Sequence, residues 1–332
     1  MTSWPPVIDG HTHICGMGQG GTGCSISRSL LGSLAFRYLR WKLGLGAFGI
    51  PENLDERVRQ RLFSDLEAAP SVDYVVLYGH DKVYGPDGRV REELTQMHTP
   101  NDYVLRLSRE HPKILPGVSI HPDRPDALDE LERCAEAGAA LVKWLPNSQG
   151  MDPADKRHRA FYGAMARLGL PLVAHTGGEH TVAIAWPEYT DPARLELALD
   201  SGVTVIAAHS GTKSGLVDPD FYGTFAALAR RYPRCYGDTA AFGTPGRMRH
   251  VPRLKADPEV LAKTVHGSDY PIPVSAWWGI RQIPLGSVRR INAIPSILER
   301  DVQIKRAVGM PEAHFRTLAG LLPARTFIRK KG

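Results

Sequence analysis

Eight short apolar runs, helical patterns between them and no dinucleotide-binding glycine fingerprint predict an α/β fold, a (β/α)8 TIM barrel. The runs lie at Pro6–Asp9, Val72–Tyr78, Ile114–Ile120, Ala140–Leu145, Leu172–His175, Val203–His209, Cys235–Thr239 and Thr264–Asp269. Several are nearly continuous in Val, Ile, Leu and Ala. A strand buried on both faces of a parallel sheet reads this way, whereas a half-exposed strand alternates. Between the runs, Leu54–Ala68 carries Leu54, Val58, Leu62 and Leu66 at spacings of four. Ala127–Ala137 opens after Pro125-Asp126 and stops at Gly138. Ala193–Leu199 and Pro219–Tyr232 read as helices too. No GxGxxG follows the first run, which sets a barrel above an open doubly wound sheet.

Residues 1–332 are expected to form one barrel domain with two additions. The first, 15–50, is inserted after strand 1. It begins Gly-rich at Gly16, Gly18, Gly20, Gly21 and Gly23, then becomes an amphipathic helix candidate with Leu30, Leu34, Leu39 and Trp41. It reads as a lid over the barrel mouth, an oligomer contact, or a helix packed on the barrel wall. Arg28, Arg37, Arg40 and Lys42 add a membrane-surface helix as a lesser reading. The second addition, 275–332, supplies the last helix and a C-terminal helical extension.

With 42% hydrophobic and 23% charged residues, the composition excludes a disordered chain, a collagen and a disulfide mini-protein. No run approaches the roughly 20 apolar residues of a membrane helix. Met1–Pro6 carries no secretion signal, so a cytoplasmic protein is expected. Cys15, Cys24, Cys134 and Cys235 form no CxxC pair, which argues against a disulfide framework or a thiolate zinc site. The net charge is +6, yet only Arg329-Lys330-Lys331 clusters. Neither nucleic acid nor membrane is expected as a partner. A small-molecule substrate is, with a homo-oligomer left open.

Polar residues stand where the runs end, and in a barrel those ends share the face that carries active sites. The first run leads into Asp9-Gly10-His11-Thr12-His13. Positions i and i+2 of a strand share a side, so His11 and His13 can meet one metal. The fourth holds Lys143, costly inside an apolar run unless it is paired or loses its charge. His175, His209 and Asp269 end the fifth, sixth and eighth. Imidazole and carboxylate together suit zinc and neighbouring divalent ions.

In this order, DGHTH, VKWLPNSQGMDP, LPLVAHTGGEH, VTVIAAHSG and HGSDYP resemble the metal-dependent amidohydrolase superfamily, in particular the amidohydrolase-2 branch with the aminocarboxymuconate-semialdehyde decarboxylases. The resemblance covers nearly the whole chain. It implies that His11, His13, His175 and Asp269 are metal ligands. It also implies that His209 binds a second metal or acts as a base beside the metal-bound water. Lys143 aligns with the lysine that CO₂ carboxylates in two-metal members, where it bridges the ions. Decarboxylase-like members use one metal and need no such lysine, so Lys143 favours a two-metal hydrolase. Left unmodified, it would instead bind a substrate carboxylate or pair with an acid. The expected cofactor is one or two divalent ions, zinc first among them, with two if Lys143 is carboxylated.

The implied reaction is hydrolysis of a C–N or C–O bond in a small amide, lactone or related carboxylated substrate. Asp269 and His209 are the expected catalytic residues. The alternative is a nonhydrolytic lyase, a decarboxylase or hydratase of an aromatic-derived acid. A barrel that keeps the ligands without turnover is the third reading. Asp9 is expected to stabilise the first loop or to be the hydrogen-bond partner of a ligating histidine. Trp144, Asn147, His121, Glu179 and His180 are the candidate substrate contacts, with Gln149 and Asp238 nearby. His80, His98, His158, His250 and His314 have nothing that sets them apart from structural histidines.

Overall fold

A computed structural model describes residues 4–46 and 49–328. The basic run Arg329-Lys330-Lys331 lies outside them. Eight parallel strands follow one another around a barrel: β1 (Ile8–His13), β2 (Tyr74–Tyr78), β3 (Ile114–Val118), β4 (Leu141–Trp144), β5 (Leu172–His175), β6 (Val205–Ala208), β7 (Cys235–Asp238) and β8 (Thr264–Val265). Each is bonded in parallel to the next. The ring closes where Gly10 N donates to His266 O at 2.9 Å and Thr12 pairs with Tyr270. All eight expected runs are strands, mostly trimmed by a residue or two. The exceptions are the ends that meet. The first strand starts later than Pro6 and runs on through the polar Asp9–His13, and the eighth pairs with β7 only at Thr264 and Val265. At this seam Gly267 passes so close to β1 that an added Cβ would sit 2.7 Å from the His11 Cβ.

Alternation along the strands divides two apolar layers. Ile8, Val76, Leu141, Val173, Ile206 and Val265 fill the barrel floor, where Leu318 and Leu322 of the C-terminal extension plug the base. Val75, Leu77, Val142, Leu172 and Val205 face outward and pack under the helices. Each such side chain contributes roughly 1.5–3 kcal/mol on full burial.

β1 obeys this alternation only with help. Asp9 pairs with Val75 and Thr12 with Leu77, so three steps on β1 oppose two on β2. The extra residue is a bulge, which shifts the parity of everything after it. Ile8 before the bulge and His11 and His13 after it can therefore all face the interior.

Helices at Leu54–Glu67, Ala127–Glu136 and Tyr222–Arg231 match expectation, while Ala193–Leu199 divides into a 3-10 turn, Pro192–Leu195, and a helix, Glu196–Asp200. The insertion corrects the single helix expected there. It forms two helices, Arg28–Gly32 and Leu34–Lys42, broken at an extended Ser33. Ser27 and Ser33 each cap the helix that follows, accepting from Leu30 N at 3.3 Å and Phe36 N at 3.2 Å. The break rotates the apolar stripe: Leu30 and Leu39 are buried, but Leu34 and Trp41 are exposed. The glycine-rich loop before these helices wraps the Asp55 carboxylate, which accepts from Met17 N, Gly18 N and the Thr22 hydroxyl at 2.6–3.0 Å. A Cβ on Gly16 would run into that carboxylate. All four cysteines are free, and no helix among the described residues is long and apolar enough to cross a membrane.

Candidate metal centre

The C-terminal rim of the barrel gathers polar side chains from β1, β4, β5, β6, β7 and β8. His11 and His13, both turned inward after the bulge, bring their Nε2 atoms 3.1 Å apart. Asp269 sets Oδ1 3.3 Å from His11 Nε2 and 3.5 Å from His13 Nε2. One donor atom from each of the three lies within 4.8 Å of the others. Lys143 rises from β4 with Nζ 3.0 Å from His11 Nε2 and 5.0 Å from the centre of the Tyr78 ring. The His209 ring lies 4.9 Å from that of His175 and 5.2 Å from that of His11. His175 Nε2 is buried with no hydrogen-bond partner among the described residues.

Hydrogen bonds behind the rings settle which nitrogen is presented. His209 Nδ1 lies 3.0 Å from the Ala240 carbonyl, which can only accept, so Nδ1 carries the proton and Nε2 keeps its lone pair. His11 Nδ1 donates to Asp238 Oδ2 at 2.7 Å in the same sense. Asp238 Oδ1 also accepts from His209 N at 2.6 Å and Ala240 N at 3.0 Å, so one carboxylate positions two of the histidines. Of the two roles expected of Asp9, its hydrogen bonds match the stabilising one and not the holding of a ligating ring. Its Oδ1 accepts from His11 N at 3.1 Å and Ser268 N at 2.8 Å, tying β1 to the segment after β8.

The backbone is unusual at the same places. His209, Ser210 and Asp269 have φ of 60°, 53° and 68°. Such conformations are uncommon outside glycine, Asp tolerating them better than His, and they cost roughly 1–3 kcal/mol each unless the surroundings enforce them. Here Asp269 N donates to His11 O at 2.9 Å, and the Ser210 hydroxyl donates to Asp238 O at 2.8 Å.

Burial pushes His13 and His175 each down to about 4 and His209 well below the usual imidazole range. Neutral imidazole is the form that binds metal. Burial also lowers Lys143 to about 8, against the pull of Asp238, Asp269 and Glu179. For Asp269 burial acts upward, but His11, the hydrogen bond to His13 and His209 outweigh it and hold the carboxyl well below its usual range. Two lone-pair-bearing imidazoles, a carboxylate and an unpartnered imidazole nitrogen form a donor set that fits a divalent ion.

The expected substrate contacts divide. Glu179 reaches the rim, with Oε2 3.7 Å from His175 Nδ1 and Oε1 accepting from His180 N and Thr181 N. Trp144 does not. It alternates with the inward Lys143, so it points out of the barrel, stacks on Phe161 and donates to Ile120 O at 2.9 Å. The His121 ring is spent on the Gln149 carbonyl and Asp123 N, at 3.0 and 3.1 Å. His180 is exposed and pairs with Asp218 at 2.9 Å. Asn147 is fully buried, neither amide atom hydrogen-bonded among the described residues, and it does not line the chamber described below. His80, which nothing in the sequence set apart, is buried after β2. Burial, with His13 and Lys143 adding to it, drops it to about 3. Its position at a strand end was the available signal.

A cavity of about 1040 Å³, open space included, lies over the rim. His13, Glu179 and Asp269 border it from the barrel, while Leu30, Phe36, Leu39, Leu43 and Leu45 border it from the insertion. The insertion therefore roofs the site.

The fold has counterparts among known proteins. A family model described as amidohydrolase matches residues 40–285. No curated protein matches the chain. Among solved structures, an uncharacterized TIM-barrel protein from Bordetella bronchiseptica is similar at 15% identity and TM-score 0.61, over 98% of this chain and 99% of that one. A probable 2-pyrone-4,6-dicarboxylic acid hydrolase from Acinetobacter baumannii, with citric acid bound, is similar at 16% identity and TM-score 0.54, over 98% and 100%. The 5-carboxyvanillate decarboxylase LigW from Sphingomonas paucimobilis follows at 13% and 0.51, over 92% and 99%. At these identities the structures speak for the fold alone. The family match spans well over half of the chain, which therefore belongs to the amidohydrolase superfamily, in its amidohydrolase-2 branch.

Proposed function

We propose that the protein is a metal-dependent hydrolase acting on a small amide, lactone or related carboxylated substrate. The observation that carries this reading is the approach of Lys143 Nζ to within 3.0 Å of His11 Nε2, inside the ring of candidate ligands. His11, His13, His175 and Asp269 would hold zinc, with His209 beside it. A bound zinc ion supplies a water of strongly lowered pKa and a Lewis acid for the scissile carbonyl. Asp269 takes the proton of the attacking water and delivers it to the leaving group. His209, its Nδ1–H committed to Ala240 O, keeps Nε2 as an acceptor that orients that water. A lysine lowered to about 8 is partly neutral near pH 7, so its amine could add to CO₂, releasing one proton and giving a carbamate that would offer a further anionic metal ligand.

Metal content by mass spectrometry, measured after loading with zinc and bicarbonate, tests this. Two ions per wild-type chain and one in Lys143→Ala are expected, with lactone or amide hydrolysis lost in the variant. A single ion in both proteins, with CO₂ released from an aromatic acid, would replace the hydrolase with a decarboxylase.

A further inference from the structure

We infer that the substrate has a neutral, apolar body and carries its only polar group at the reacting carbonyl. This rests on the hydrolase reading and names the substrate class of that same site. The chamber is polar at one end. His13, Asp269 and Glu179 lie at the rim, and away from it the walls are mainly hydrocarbon: Leu30, Phe36 and Leu39 from the roof, Leu145 and Val182 from the barrel loops, Leu62 from the following helix. Ile26, Leu30, Phe36, Leu145 and Val182 pack into one apolar cluster, so roof and loops form a continuous wall.

Charge decides against a substrate with a second carboxylate. Two guanidiniums border the chamber, and both are committed to protein acceptors. Arg61 holds Asp65 through two bonds of 2.8 and 3.1 Å, and Arg40 donates to Gly49 O at 2.8 Å. The ionisable side chains at the reacting end include the carboxylates of Asp269 and Glu179. With one carboxylate at the ion-binding rim, a second would lie along the apolar walls, where both guanidiniums are already bonded to protein acceptors, at the desolvation cost of an unpaired charge. An acyl chain or unsubstituted aryl group would instead gain from burial along the whole wall. The roof is supplied by the inserted segment, so the specificity is a property of this chain's own residues.

Calorimetric titration of the zinc-loaded full chain with hydroxamic acids tests the inference, because their head groups chelate the ion while their tails explore the chamber. From acetohydroxamate through butanohydroxamate to octanohydroxamate, affinity should rise about threefold per added methylene, with an increasingly negative heat-capacity change. Adipic acid monohydroxamate, whose tail ends in a carboxylate, should fall at least tenfold below hexanohydroxamate. Val182→Ser and, separately, Leu30→Ser should each flatten the chain-length series while leaving acetohydroxamate affinity within twofold. A flat wild-type series, or tighter binding of the carboxylate-tailed member, overturns the inference and leaves the metal site standing. Failure of every member to bind, or of zinc to be retained, overturns the hydrolase reading and this inference with it.

Discussion

At the rim of the chamber the polar side chains come from several strands, and key rings are held from behind, His11 by Asp238 and His209 by Ala240 O. In the roof, one contiguous stretch supplies Leu30, Phe36, Leu39 and Leu43, held by apolar packing and two serine caps. The rim is assembled by topology and cannot tolerate a shift in any strand. The roof is assembled locally and can change residue by residue. Chemistry and specificity are thereby placed on separate supports, which makes the division testable by where each perturbation registers.

The largest effect belongs to Asp269→Asn. Removing the proton carrier should lower turnover by at least about 10³-fold, while circular dichroism remains native. Retained turnover would remove Asp269 from the chemistry. Acid should act next most strongly, and through the barrel. Burial lowers His80 and His314 to about 3 and His121 to about 4. In the unfolded chain these rings take up protons below about 6.5. As pH falls from 6.5 towards 4, the unfolded state gains protons that the folded state refuses, so stability is lost on acidification. Asp301, raised to about 7 by burial, works the other way, as do the buried Asp9 and Asp81 carboxyls, but in the metal-free chain His13, His98 and His175, each lowered to about 4, add to the imidazole side. Urea unfolding of metal-free protein at pH 7.5 and pH 5 should differ by several kcal/mol; an unchanged midpoint contradicts neutral buried imidazoles.

Asp238→Asn should weaken zinc binding about 10–100-fold in a chelator competition, because it loosens His11 and the His209 backbone together. No change would mean that the rings are oriented by packing alone. The smallest effect is predicted for the roof. Leu39→Ala should raise KM roughly tenfold for the substrate identified by screening, with zinc affinity unaltered. A loss of zinc in that variant would erase the distinction between roof and rim.

The sequence makes the barrel and the rim legible for one reason: both depend on strand ends and on alternation. His11-Thr12-His13 and the residues closing the fifth, sixth and eighth runs converge as their positions require. The same alternation, applied from the inward Lys143, would have turned Trp144 outward. Asp9 lies before the bulge, which breaks the parity a regular strand would give residues 9 and 11, so its carboxylate reaches backbone amides and does not hold the His11 ring. The role falls to Asp238, whose nearness to His11 depends on how the barrel curves and is not written in local pattern. His180 sits in a loop, where no period constrains direction. The division of the roof at Ser33 was readable in principle, since Ser27 and Ser33 each stand three residues before the amide they cap.

The bulge in β1 has a consequence for how this site could be gained or lost. Ile8 belongs to the packed floor and the two imidazoles to the reactive rim, and one surplus residue lets both look inward from a single strand. Deleting Gly10 would restore plain two-residue repetition and send the histidines into the surrounding helical layer, leaving a barrel with its foundation intact and its ion-gathering edge dismantled.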